Sequence, residues 1–181
     1  EDDVRRAIGS PPSVEGFAAL LSPAAEPLLE DIAVRARRLT REHFGNSVCM
    51  FTPLYVSNYC SNLCVYCGFN RDNRIERLAL GMDQVAAELD AIRETGLEEV
   101  LILTGESRSR SDVGYIRECV RLAAERFAVV GIEVYPMNSE DYAQIQEAGA
   151  DYVTVFQETY DPTRYSQLHL AGPKSVFRYM L

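Results

Sequence analysis

The chain has 181 residues, of which 47% are hydrophobic, so it is long and apolar enough to fill the core of one ordinary domain. Its 27 acidic and 18 basic residues give a net charge of −9, which does not suit nucleic-acid binding. The start of the chain lacks a signal pattern, and no apolar run approaches the roughly 18 residues that span a bilayer. We therefore expect a cytoplasmic protein with neither nucleic acid nor membrane as a partner.

Residues 1–46 are predicted to form an N-terminal helical extension. Residues 1–21 are expected to be irregular or weakly helical. A long helix is predicted to begin at Ser22, which can cap it, with Pro23 at the first helical position, where a missing N–H costs nothing. Gly45 suits the end of this helix.

The first strand is predicted over residues 48–56, and its nearly continuous apolar run is typical of a strand buried on both faces. Pro53 argues against a regular interior strand and indicates a local break or bulge. Cys49 in this run and Cys119 on a later helix are both expected to be small buried hydrophobic residues.

Strand and helix patterns then alternate. The predicted helices are at about 82–95, 112–128 and 139–149, and the predicted strands are at about 99–104, 131–135 and 151–156. This alternation predicts βαβ units and a parallel sheet. A (β/α) barrel of TIM type needs eight such units in roughly 250 residues. Residues 47–181 are therefore expected to be about the first four units, truncated at the C-terminus, with the fourth strand as an exposed edge.

A cluster of cysteines follows the first predicted strand. Three of the five cysteines, Cys60, Cys64 and Cys67, are spaced C-x3-C-x2-C. In a reducing compartment such a cluster favours metal or redox chemistry over disulfides. An iron–sulfur cubane held by three thiolates has one iron without a protein ligand, which is a place to bind something.

Zinc remains an alternative for the cysteine cluster. A structural zinc site needs a fourth ligand, which would have to come from Cys49, His43 or His169. None of these three residues lies at a customary zinc-finger spacing. Iron–sulfur binding is therefore favoured, and a non-catalytic zinc-binding or scaffold fragment is kept as a competing hypothesis.

Further polar residues follow the later strands. Glu106 comes after the second strand, residues 136–138 follow the third, and Glu158 closes the fourth. In barrels and open α/β sheets the chemistry lies at the carboxyl ends of the strands. We therefore expect these residues and the cysteine loop to converge on one rim.

The cysteine pattern after a first barrel strand, with Tyr66 just before the third cysteine, resembles the radical S-adenosylmethionine (SAM) superfamily. Other segments are similar to its aromatic amino-acid lyase branch, and most of all to the 2-iminoacetate synthase family, the tyrosine lyases of thiamine thiazole biosynthesis. The segments that carry this resemblance are residues 53–58, 67–69, 73–75, 103–106, 157–160 and 169–174.

The resemblance implies a 4Fe–4S cluster whose open iron chelates SAM. A reduced cluster would pass one electron to the sulfonium, and the resulting 5′-deoxyadenosyl radical would abstract hydrogen from L-tyrosine. Cleavage of the Cα–Cβ bond would then yield 2-iminoacetate (dehydroglycine) and p-cresol, with 5′-deoxyadenosine and methionine from SAM. Thiazole synthase and a reductant such as flavodoxin or ferredoxin are the implied partners.

The resemblance also implies residue roles, although it assigns no catalytic residue. The implied cluster ligands are Cys60, Cys64 and Cys67. Tyr66 would lie against the adenine, and Glu158 would bond the ribose hydroxyls. Glu106 would meet the methionine ammonium, with Thr104 in place of the first glycine of the superfamily's usual Gly-Gly-Glu. For His169 and Lys174 a position at the surface or between helices is preferred, and contact with substrate or cofactor is the alternative.

The nearest competing activity is that of the hydrogenase-maturation tyrosine lyase. It also splits tyrosine, but it then makes carbon monoxide and cyanide with a second cluster in a C-terminal extension. The 181-residue chain by itself is expected to be inactive, because essential barrel parts would lie beyond Leu181.

Overall fold

The computed structural model describes residues 1–179, and the chain divides into two compact units, Glu1–Cys49 and Met50–Leu181. The first unit is helical. Its elements are α1 (Asp2–Gly9), α2 (Val14–Leu20), a 3-10 helix (Pro23–Leu28) and α3 (Leu29–Phe44). A small core of Val4, Ala25 and Leu28 holds this unit together.

Two expectations for the first unit are wrong. Residues 1–21 contain two helices, and the second is capped by Ser13, whose Oγ accepts the N–H of Gly16 at 3.0 Å. Ser22 occupies the N-cap position with Pro23 first in the helix, as predicted, but its side chain makes no capping bond, because its hydroxyl donates backwards to the carbonyl of Ala19 at 2.7 Å. The residues after it form a 3-10 helix containing Pro27, which has no N–H to extend an α-helical ladder.

The second unit contains six strands and four α-helices within residues 50–179. In chain order they are β1 (Phe51–Ser57), β2 (Leu63–Cys64), α4 (Met82–Glu94), β3 (Glu99–Thr104), α5 (Val113–Ala124), β4 (Val129–Glu133), α6 (Ser139–Glu147), β5 (Tyr152–Val153), α7 (Pro162–Leu168) and β6 (His169–Ala171). A 3-10 helix (Pro173–Ser175) follows β6.

The main sheet is parallel and has the strand order β1-β3-β4-β5, while β2 and β6 form a separate antiparallel pair. The largest buried cluster joins three strands of the main sheet to α4, α5 and α6. It includes Val56, Leu89, Ile102, Ile116, Ile132 and Ile145. The predicted alternation of strands and helices around a parallel sheet is confirmed, and the fold is part of a (β/α) barrel. Among residues 1–179 no helix is long and apolar enough to cross a membrane.

The first strand differs from its prediction. β1 lies at the edge of the sheet, and Phe51 and Tyr55 are 49% and 52% exposed, so the strand is not buried on both faces. Pro53 sits in regular register opposite Leu101, because an edge strand tolerates the missing N–H. The irregularity falls later, between Tyr55 and Ser57.

The predictions for the two cysteines outside the loop and for the fourth strand are only partly confirmed. Cys119 is fully buried as expected, but Cys49 is exposed. β5 is only two residues long, although the N–H of Thr154 still donates to the carbonyl of Ile132 at 2.9 Å. Val153 is 44% exposed at this second edge of the sheet.

A side-chain cap fixes the start of α5. Asp112 Oδ1 accepts the N–H of Tyr115 at 2.8 Å, so one of the unpaired donors of the first turn is satisfied. Asp112→Ala is expected to lower the free energy of unfolding by about 1 kcal/mol. Asp112→Asn keeps an acceptor and should stay close to wild type in urea denaturation. An alanine variant as stable as wild type would contradict this role.

Candidate functional site

A cavity of about 780 Å³ lies at the carboxyl ends of the parallel strands. Residues at or just beyond the ends of β1, β3, β4 and β5 line it. All six residues that the sequence singled out also line it: Cys60, Cys64, Tyr66, Cys67, Glu106 and Glu158. The structure therefore brings together side chains that are far apart in the sequence.

The cysteine loop is tied to its surroundings by backbone hydrogen bonds. The N–H of Ser61 donates to the carbonyl of Glu106 at 2.8 Å, which fixes the loop to the end of β3. Cys64 belongs to β2 and pairs with His169 of β6. The N–H of Cys67 donates to the carbonyl of Cys64 at 3.2 Å, which closes the last turn. The loop is thus built between two distant parts of the chain.

Two glycines allow other segments to approach the cysteine loop closely. A Cβ on Gly105 would lie 3.0 Å from the carbonyl carbon of Tyr59 and would meet its oxygen even more closely. Gly172 has a φ of +87°, and a Cβ there would lie 2.7 Å from Cα of Asn62. Backbone atoms cannot yield as a flexible side chain can, so only glycine fits at either position.

The three loop thiols differ in burial. Cys60 and Cys67 are partly exposed to the cavity, whereas Cys64 is buried. Burial raises the pKa of Cys64 to about 11, and the nearby ammonium of Lys174 partly opposes this effect. The metal-free thiol of Cys64 is therefore protonated at neutral pH, and any metal that binds it must displace a proton.

The donor set can be compared with the group that the motif implies. Within residues 1–179 no set of three or more His, Cys, Asp or Glu side chains is arranged to hold a metal ion. The fit to an iron–sulfur cluster rests instead on the kind and placement of the donors. Three free cysteines on one loop face a single cavity, and thiolates are the ligands that such clusters take.

Glu106 presents a buried carboxylate just beyond the end of β3, with only 8% of the residue exposed. Asn62 Nδ2 donates to its Oε2 at 2.6 Å, and the hydroxyl of Tyr179 donates to its Oε1. The other side of the Asn62 amide, Oδ1, accepts the backbone N–H of Lys174 at 2.9 Å. Asn62 thus connects the cysteine loop, the carboxylate and the turn after β6.

Glu158 has an unusual backbone. Its φ of +62° makes it the one non-glycine residue with positive φ among residues 1–179. Lys174 Nζ donates to its Oε1 at 2.6 Å, and His169 Nε2 lies 3.4 Å from its Oε2. Such backbone strain costs about 1–3 kcal/mol and is concentrated at functional sites.

Three buried polar atoms near the strand ends lack a hydrogen-bond partner among the described residues. They are Ser57 Oγ, Thr104 Oγ1 and Gln157 Oε1. Ser57 ends β1, Thr104 ends β3 and lines the cavity, and Gln157 precedes Glu158. Unsatisfied buried polar atoms are uncommon in native proteins, and of these three Thr104 Oγ1 belongs to a residue that lines the cavity.

Two residues near the cavity contradict their preferred placement at the surface or between helices. His169 is 2% exposed and lies on β6 beside the cysteine loop, and Lys174 lines the cavity instead of the surface. Tyr66 is half exposed, and its hydroxyl oxygen lies 2.8 Å from Nε2 of His169. β6 has only three residues and no recognisable strand pattern, so the contacts of His169 could not be predicted from the sequence.

Asn62 is a residue that the sequence reasoning missed, and its role can be tested. Asn62→Ala removes a donor from the buried Glu106 carboxylate and is expected to cost about 2 kcal/mol of stability. Asn62→Asp is expected to cost more at pH 7, because it places a second carboxylate against the first. Lowering the pH to 5 should restore part of that loss by protonating the new carboxyl. Unfolding curves at both pH values check this, and equal losses for both variants at pH 7 would contradict it.

The parallel sheet, its covering helices and a cavity at the strand ends define a partial α/β barrel with a cysteine loop at its mouth. Residues 54–178 match the radical SAM superfamily, and the chain belongs to that superfamily. The resemblance drawn from the motifs is therefore confirmed.

Two curated relatives within this superfamily have high sequence identity to the chain. The chain is 44% identical to 2-iminoacetate synthase of Salmonella typhimurium and 43% identical to 2-iminoacetate synthase of Escherichia coli, each over 180 residues. Both alignments cover 99% of this chain and 48% of the relative, so the chain spans about half the length of these curated relatives.

A solved structure gives the same picture of the fold. The crystal structure of HydG, a maturase of the FeFe-hydrogenase, superposes with a TM-score of 0.91 at 29% identity. That superposition covers 99% of this chain and 41% of HydG.

Proposed function

We propose that the protein containing this chain is a radical SAM carbon–carbon lyase that converts L-tyrosine to 2-iminoacetate and p-cresol for thiamine thiazole biosynthesis. The observation that carries this proposal is the 43–44% identity to two 2-iminoacetate synthases over 99% of the chain. In this protein, residues 47–181 would contribute about the first four units of the barrel, and residues 1–46 would be a helical extension.

The cofactor pair is a 4Fe–4S cluster and SAM. Cys60, Cys64 and Cys67 would hold the cluster, because they are the three thiols that face the cavity. When bound, the cluster supplies one electron to SAM, which yields the 5′-deoxyadenosyl radical that takes hydrogen from tyrosine. The cofactors would supply the radical chemistry, and the protein would orient them and exclude water.

The carboxylate of Glu106 suits the ammonium of SAM. A buried carboxylate pairs strongly with an ammonium ion, and the hydrogen bonds from Asn62 and Tyr179 hold it in one orientation. The carboxylate therefore does not need to reorganise when the ammonium arrives. This contact would fix the methionine end of SAM beside the cysteine loop.

Tyr66 and Glu158 suit the nucleoside end. Glu158 keeps acceptor capacity on Oε2 for ribose hydroxyls, because Lys174 bonds its other oxygen. Tyr66 is half exposed at the cavity, where its ring and backbone are available to an adenine. Apolar residues that line the same cavity, among them Leu80 and Val134, would keep water from a radical intermediate.

The proposed partners follow from the same activity. A reductant such as flavodoxin or ferredoxin would supply the electron, and thiazole synthase would take up the unstable imine. We place the protein in the cytoplasm, because an accessible thiol loop of this kind requires reducing conditions.

Hydrogenase maturation is a second candidate function, and one observation favours it. The HydG crystal structure superposes on this chain with a TM-score of 0.91. Its sequence identity, however, is 29%, against 43–44% for the 2-iminoacetate synthases. The tyrosine lyase of thiamine biosynthesis is therefore preferred.

The decisive experiment uses the full-length protein, reconstituted anaerobically with iron and sulfide. It is incubated with SAM, L-tyrosine and dithionite, and p-cresol, 5′-deoxyadenosine, glyoxylate from imine hydrolysis and cyanide are measured. We expect the first three products without cyanide. Substantial cyanide would favour the maturase, whereas stoichiometric zinc with no iron or sulfide would reject radical chemistry. The 181-residue chain assayed alone is expected to be inactive.

A further inference from the structure

His169 lies between two residues that are proposed to contact the nucleoside end of SAM. Its Nε2 is 2.8 Å from the hydroxyl oxygen of Tyr66 and 3.4 Å from Oε2 of Glu158. The side chain is fully buried, and nothing in the proposed chemistry uses it directly. The position of this buried polar ring, whose Nε2 contacts both Tyr66 and Glu158, therefore suggests a role for it at the site.

The hydrogen bonds of the ring determine where its proton lies. Nδ1 is 2.9 Å from the backbone carbonyl of Tyr165, and a carbonyl oxygen can only accept. Nδ1 must therefore carry a hydrogen, and in the neutral ring Nε2 is then an acceptor. When the ring carries its single hydrogen on Nδ1, the hydroxyl of Tyr66 donates to Nε2.

The ring itself is held firmly. His169 pairs with Cys64 in the antiparallel β2–β6 ladder, which fixes its backbone beside the cysteine loop. Its ring stacks on that of Tyr165 at a centroid distance of 3.9 Å, and the hydroxyl of Tyr165 donates to the carbonyl of Lys174 at 2.6 Å. Little rotational freedom remains, so the acceptor offered to Tyr66 has a fixed position.

We propose that His169 is a positioning residue for the adenosyl end of SAM, acting by anchoring the hydroxyl of Tyr66 next to the carboxylate of Glu158. This inference rests on the proposed function. Tyr66 is half exposed at the cavity, and the contact of its hydroxyl with His169 restrains its ring there. One buried side chain thereby links the loop that carries the cysteines to the proposed nucleoside pocket.

The test measures ligand binding to the full-length, cluster-loaded protein by equilibrium dialysis, with SAM and L-methionine as probes. Both probes offer amino and carboxylate groups, but only SAM has the adenosyl group. His169→Leu is expected to weaken SAM binding about tenfold, as loss of one buried hydrogen bond does, and to change methionine binding by less than about twofold. His169→Gln retains an acceptor and is expected to recover most of the SAM affinity.

A double-mutant comparison and a control complete the design. Tyr66→Phe is expected to weaken SAM binding as much as His169→Leu does, and combining the two should add little. Tyr115→Phe is the matched control, because it removes a partly buried hydroxyl that donates to Val56 and Leu80, away from His169. It should bind both probes as wild type does.

The outcomes separate this inference from the proposed function. Iron and sulfide contents are measured for every variant, so that loss of the cluster is not mistaken for loss of SAM contacts. Unchanged SAM affinity in His169→Leu, equal weakening of SAM and methionine, or no recovery in His169→Gln would each overturn the positioning role while wild-type binding stands. Failure of the wild-type protein to bind SAM would overturn both proposals.

Discussion

Replacing any one of the three loop cysteines with serine is expected to abolish cluster loading and SAM cleavage in the full-length protein. The variants are Cys60→Ser, Cys64→Ser and Cys67→Ser. Each leaves a second iron of the cluster without a thiolate, so the loss should exceed about a hundredfold, since removing even an outer partner of a metal ligand costs about 10- to 100-fold in metal affinity. Iron and sulfide analysis and the visible spectrum after reconstitution measure this loss.

Cys49→Ser provides the control for that series. Cys49 is exposed and does not line the cavity, so its variant should load iron and sulfide as wild type does. Cys119 is unsuitable as a control, because it is fully buried in the core and burial raises its thiol pKa to about 12. Wild-type cluster content in any one of the three loop variants would remove that cysteine from the ligand set.

Local sequence patterns were sufficient to predict the regular part of the fold. α4 and β3 begin and end within one residue of their predicted bounds, since their apolar spacing and end signals are both local. The first five residues of β3 are buried, and the strand lies between two neighbouring strands. The bounds of such elements can be predicted from a few neighbouring residues.

Properties that depend on distant neighbours were harder to predict. The apolar run of β1 resembles that of β3, but within residues 50–179 β1 pairs with one strand only, and Phe51 and Tyr55 are exposed there. The same pairing explains why Pro53 is accommodated without a break. Neither property is encoded in the residues of β1 alone.

In the candidate site too, residues in local motifs were easier to predict than residues whose partners are distant in the sequence. The cysteines and Glu106 follow strands in recognisable motifs, and they line the cavity as expected. The sequence favours a surface or inter-helix position for His169, whereas it lies on β6, which is short and pairs with β2 about a hundred residues earlier. Asn62 was overlooked for the same reason, since its partners Glu106 and Lys174 come from two other segments.

The close approach of Gly172 to the cysteine loop gives the second prediction with a large effect. Gly172→Ala would add a Cβ that lies 2.7 Å from both Asn62 Cα and Ser61 O, at a φ of +87°. We expect the loop to be displaced, the protein to lose several kcal/mol of stability, and cluster content to fall to a minor fraction of wild type.

Gly96→Ala is the control for Gly172→Ala, because it introduces the same backbone strain without displacing the cysteine loop. Gly96 has a φ of +84°, nearly the same as that of Gly172, but a Cβ there meets nothing within 4 Å. This variant should therefore lose only the about 1–2 kcal/mol that a left-handed conformation costs, and it should load the cluster fully. Urea denaturation and iron analysis of both variants provide the measurement. Equal stability losses with full iron content in both would show that the turn at Gly172 does not hold the cysteine loop in place.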